Sequence, residues 1–145
     1  MSRKRIIVIA SVGVLATALG VAAHFRKVAL DRTLSAVCAS NMISICSANL
    51  MYASVHENTF PTKLSSLEVV LSTPHTFVCP GNDSNPLRMT RNWADVDKYS
   101  DYEIVSPGML AADKDKVFIR CKIHGHLGYS DMTVFDGVRR RGKFE

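Results

Sequence analysis

The chain has 145 residues, a net charge of +5 and 47% hydrophobic residues, which suits one domain with one modest core. The charge excludes a nucleic-acid footprint. Much of it flanks a single apolar run or sits in the terminal stretch Arg139-Arg140-Arg141 with Lys143, where short basic runs are ordinarily just solvated.

The apolar run extends from Ile6 to Ala23 without a charged residue. As a helix it spans about 27 Å at ~1.5 Å per residue, enough to cross a hydrocarbon core of ~30 Å. Arg3, Lys4 and Arg5 precede it, and His24, Arg26 and Lys27 follow it. Residues 6–23 are therefore expected to be a transmembrane segment behind a basic cytoplasmic leader, residues 1–5. The same pattern fits a cleaved secretory signal ending at Val21-Ala22-Ala23. Either reading carries the bulk of the chain out of the cytoplasm, where four cysteines can form two disulfides in three connectivities.

Residues 24–58 are expected to form an amphipathic helical stalk. From Phe25 to Asn58 there is no Pro and no Gly. Leu34, Cys38, Met42, Ile43, Ile45, Cys46 and Leu50 share one half of the helical wheel, with Ser40, Ser44, Ser47 and Ser54 on the other. Cys38 and Cys46 would lie ~12 Å apart on this helix, beyond the ~7 Å reach of a disulfide, and read as buried thiols. Phe60-Pro61 should end the helix near Glu57-Asn58.

Residues 59–145 are expected to form an α+β head. A short second helix is predicted over Thr62–Leu71, then strands at His75–Cys79, Tyr102–Val105, Lys116–Cys121 and Met132–Phe135, separated by Pro/Gly turns. A long helix followed by a few antiparallel strands implies a small sheet packed on that helix.

At this point the residues resemble a known group. Asn49-Leu50-Met51-Tyr52-Ala53, Asn58-Thr59-Phe60-Pro61 and Leu64 to Leu67 resemble a block in pilin-like proteins of type II secretion and type IV pilus systems. Phe77-Val78-Cys79-Pro80-Gly81-Asn82 resembles the Phe-x-Cys-Pro-x-Asp/Asn step of a pseudopilin-like branch. That branch carries an H-x9-D-G signature, which His126 with Asp136-Gly137 matches. The resemblance covers roughly Leu34 to Val138. It implies a pilin-like fold and a structural role, with other pilin-like subunits contacted through the N-terminal helix, including Leu34, Cys38, Met42, Ile45, Cys46 and Leu50. It also implies a bacterial inner-membrane protein with a periplasmic soluble part. The chain departs from the family at the leader: neither Gly13 nor Gly20 precedes a Phe-Thr-Leu-x-Glu start, and no Glu or Asp lies inside the apolar segment. The residues that direct prepilin cleavage and filament insertion in the family have no match here.

Chemistry concentrates at Cys79, Cys121, His124 and His126. Soft sulfur and imidazole donors in this pattern suit tetrahedral zinc, but in an exported chain Cys79 and Cys121, if on neighbouring strands, are expected instead to bond to each other as a disulfide. A membrane-anchored metal-binding or adaptor domain built on these four residues is the alternative function. In a strand His124 and His126 would share a face; with Gly125 between them a turn fits as well. Asp95-x-Asp97 and Asp113-x-Asp115 offer oxygen donors for calcium, without an EF-hand pattern. Trp93, Tyr99 and Tyr102 are read as core. No nucleophile with an orienting carboxylate is evident, so neither an enzyme nor a small-molecule substrate is expected.

Overall fold

A computed structural model describes residues 3–113, 115–137 and 140–141, with the side chains of residues 3–16, 18, 140 and 141 outside the description. The side chains of most of the predicted transmembrane segment, the leader and the terminal basic run therefore lie outside it. Helix α1 runs Arg3–Ser54. Among the described residues it is the one helix long and apolar enough to cross a membrane. The chain divides into two compact units, Met1–Thr33 and Leu34–Glu145.

In the first unit, the apolar residues Leu19, Val21, Phe25 and Leu30 are all more than half exposed. Among the described residues of this unit none covers them, since helix α1 is its one described element.

The second unit begins inside the stretch predicted as stalk. From Leu34 onward α1 is amphipathic, and Cys38, Ala39, Met42, Ile45, Cys46 and Asn49 are buried. Ser40, Ser44 and Ser54 are exposed. The predicted face is thus confirmed as apolar, but it is corrected as an assembly face: Cys38, Met42, Ile45 and Cys46 are consumed by the core of their own chain. Leu34 and Leu50 are half-buried.

The helix ends by reversing its backbone hand. Glu57 and Asn58 both have positive φ, 53° and 56°, and the Asn58 amide donates to the Ala53 carbonyl at 2.9 Å. That is the 6→1 bond of a Schellman ending. The chain then lies beside Leu110, with the Phe60 amide donating to Met109 O at 2.8 Å.

Two expected elements differ. The second helix is a 3-10 segment, Leu64–Val69, burying Leu64 and Leu67. The strand expected at His75–Cys79 is another 3-10 turn, Pro74–Phe77. Pro74 presets φ at its start and the Thr73 hydroxyl accepts from the His75 amide, so local capping overrides β propensity.

The strands are β1 Tyr102–Ile104, β2 Val117–Cys121, β3 Leu127–Tyr129, β4 Val134–Phe135 and β5 Arg140–Arg141. They form one antiparallel sheet in the order β1-β2-β3-β4-β5. With α1 this makes an α+β domain. A short helix α2, Val96–Tyr99, precedes β1.

Strand β3 explains the close approach of helix and sheet. A Cβ on Gly128 would stand 2.7 Å from Ile119 Cγ2, 2.8 Å from Cys46 Sγ and 3.2 Å from Met42 Cε. Only a residue without a side chain fits there. Elsewhere in the core Phe60 meets Phe118 edge-to-face at 5.0 Å. Burying each such large apolar side chain stabilises the fold by ~1.5–3 kcal/mol.

Candidate metal centre

Three segments deliver the donor atoms. Cys38 comes from α1, Cys79 follows the 3-10 turn Pro74–Phe77, and Cys121 ends β2 with His124 in the turn beyond it. All three cysteines are buried and His124 is half-buried. Their four donor atoms lie within 4.8 Å of one another.

Each segment is held by specific bonds. The Cys79 amide donates to Asp101 Oδ2 at 2.9 Å. The same carboxylate accepts from Asn82 Nδ2 and Asn85 Nδ2, each at 2.7 Å, and is itself buried. Asp101 also serves the other side, because its carbonyl accepts from the Lys122 amide at 2.8 Å. It thereby fixes the Cys79 loop against the residue that follows Cys121. The turn itself closes through the Cys121 amide to His126 O, 2.9 Å, and the Gly125 amide to Cys121 O, 3.0 Å.

This turn swings His124 toward the sulfurs, and its Nδ1 lies 3.0 Å from Cys79 Sγ. Gly81 clears the space, since a Cβ there would meet His124 Cε1 at 3.0 Å. Two further donors face the sulfurs. The Tyr102 hydroxyl donates to Cys38 Sγ and the His124 amide to Cys121 Sγ, both at 3.4 Å.

The sulfurs set one another's protonation. Cys38 and then Cys79 can donate S–H to Cys121, which holds the Cys121 thiol well below the ordinary thiol range. The partner thiols move the other way. Cys121, Cys79 and burial raise Cys38, while Cys79 is pushed up to about 11, chiefly by Cys121. The cluster thus favours a thiolate at one sulfur and disfavours it at the other two. Burial, with the Cys38 sulfur second, also raises the Tyr102 hydroxyl, keeping it a donor.

Of the residues singled out from sequence, Cys79, Cys121 and His124 come together, and Cys38 holds the fourth position that had been given to His126. Cys79 and Cys121, the pair expected for a disulfide, are neighbours in this cluster, and all four cysteines are free thiols. His126 is buried beside it. Its Nε2 lies 3.0 Å from Ser35 Oγ, and its ring stacks on His124 with centroids 5.3 Å apart.

Strand register explains the His126–Asp136 spacing. Leu127 pairs with Phe135 and Gly128 with Val134, so one step further places His126 opposite Asp136 at the end of the β3–β4 hairpin. Gly137 follows with φ of 88°. The oxygen pairs considered for calcium are engaged by the chain: Asp97 accepts from Ser65, and Asp113 pairs with Lys116 at 2.9 Å.

Two participants were not visible in the sequence reading. Cys38 looked like a core thiol, and nothing in the spacing singled out Asp101. The only signal for Asp101 was its neighbourhood of Ser100 and Tyr102 at a strand start. The chain matches no protein-family model, no curated protein and no solved structure.

Proposed function

We propose that the protein is a non-enzymatic, pilin-like subunit or accessory of a bacterial type II secretion or type IV pilus-like assembly. In this reading it is a single-pass protein of the inner membrane with its second unit in the periplasm. The observation that carries it is the double use of one helix. Helix α1 supplies uncovered apolar residues in the first unit and the core-lining face of a small antiparallel sheet domain in the second. A lone helix with Leu19, Val21, Phe25 and Leu30 exposed needs a lipid or protein environment.

The resembling motifs fall at structural joints, which supports the same reading. Asn58-Thr59-Phe60-Pro61 forms the reversal after α1, and His126 with Asp136-Gly137 marks the end of a hairpin. Contacts with neighbouring subunits run through α1, by Leu19, Val21, Phe25 and Leu30, with Val37 and Met51 the exposed apolar positions of its second part.

Photo-crosslinking residues placed singly at Phe25, Leu30 and Ser44 in the native membrane test this. Crosslinks from Phe25 and Leu30 to a second copy or to another helix-anchored subunit, identified by mass, are expected, with little from Ser44. Release of the chain by alkaline carbonate overturns the anchor. Membrane retention without any helix crosslink overturns the assembly role.

A further inference from the structure

We propose that Cys38, Cys79, Cys121 and His124 bind one structural zinc ion that pins α1 to the Cys79 loop and to the β2–β3 turn. The inference stands apart from the assembly role and rests on the second unit alone. Tetrahedral zinc, with Zn–S of ~2.3 Å and Zn–N of ~2.0–2.1 Å, sets its donor atoms about 3.8 Å apart. Here all four donors lie within 4.8 Å, so small side-chain movements close the shell.

The donor set selects the metal. Three sulfurs and one imidazole nitrogen suit a soft or borderline ion and exclude calcium and magnesium, which take oxygen ligands. Four donors from side chains leave no open position, the arrangement of a structural rather than a catalytic zinc.

The surroundings fit a bound metal thiolate. Three thiolates, a neutral imidazole and Zn²⁺ leave one net negative charge, and the Tyr102 hydroxyl and His124 amide both point donors at sulfur. Three cysteine sulfurs and an imidazole nitrogen, delivered by three separate segments to within 4.8 Å of one another, form the donor set that a single ion gathers. His124, half-buried at the edge, gives the ion a route in. Stacked on it, His126 braces the ring from outside the shell.

The test uses the full chain purified under reducing conditions, with zinc and then cobalt as probes. One zinc per chain is expected, and the cobalt form should show the d–d and thiolate charge-transfer bands of a tetrahedral site with three sulfurs. Cys38→Ser should lose the metal while Cys46→Ser keeps it. If Cys38→Ser does not fold, His124→Cys keeps the question open to measurement. It should retain metal, with the charge-transfer intensity rising in the ratio of four sulfurs to three. Absence of stoichiometric zinc after reconstitution, a metal-free chain two hydrogens light from a disulfide, or full retention by Cys38→Ser each overturns the site. An unchanged cobalt spectrum in His124→Cys removes His124 from it.

Discussion

Cys38 and Cys46 stand about two helical turns apart on the same face of α1. Both are buried, yet they sit in different chemistry. Around Cys46 the neighbours are Met42, Ile119 and the bare backbone of Gly128. Its sulfur fills space, and burial, with the nearby Asp131 charge second, pushes its thiol up to about 12. Around Cys38 the neighbours are two more sulfurs, an imidazole and a phenol hydroxyl. The difference lies entirely in what the rest of the chain brings to each end of the helix face. One end is a hydrocarbon core, whereas the other is a polar knot.

The largest test of that contrast is Cys38→Ala. It should eliminate zinc binding and cost on the order of 4 kcal/mol, a fraction of the roughly 10–16 kcal/mol that a structural zinc contributes to small domains. Denaturant melts of the zinc-loaded chain with parallel metal analysis check this. At the other end, Gly128→Ala should cost about 3 kcal/mol through overpacking with zinc content unchanged. Adding Cys46→Ala should recover part of the loss, because it removes one of the two sub-3 Å contacts. Asp101→Asn comes next. An amide in place of an acceptor facing three N–H donors should cost about 2 kcal/mol and weaken zinc binding roughly tenfold, read by competition with a chromogenic chelator. The smallest effect is expected from Cys46→Ala alone, about 1 kcal/mol with full zinc stoichiometry. If it lost metal as Cys38→Ala does, the two ends would not differ as described.

Much of the architecture was readable because it is local. The Pro-free, Gly-free run from Phe25 to Asn58 reads as a helix, and Val117-Phe118-Ile119 reads as a strand from its β-branched and aromatic residues. Strand β3 was missed because Leu127-Gly128-Tyr129 is short and centred on a glycine, whose value lies in contact with Met42 and Cys46 rather than in propensity. The segment at Pro74 misled for the opposite reason: its β-prone Thr76, Phe77 and Val78 lose to a proline and a threonine cap. In the site, Cys121 and His124 announce each other by spacing. Cys38 does not, since only the folding of a distant helix against that turn makes it a neighbour. His126, nearer in sequence, is turned instead toward Ser35.

Gly128 also has a consequence in time. It closes over Met42 and Cys46, which are made early, while it is made late. During synthesis at ~5–20 residues per second, roughly eighty residues separate Cys46 from its cover, an interval on the order of 4–16 s. For that interval Met42 and Cys46 lack the strand that closes over them, so every nascent chain passes through a stage with part of its helix face unroofed. The last strands are thus the lid on part of the first element, and a chain halted before Leu127 leaves Met42 and Cys46 without that cover for as long as it persists.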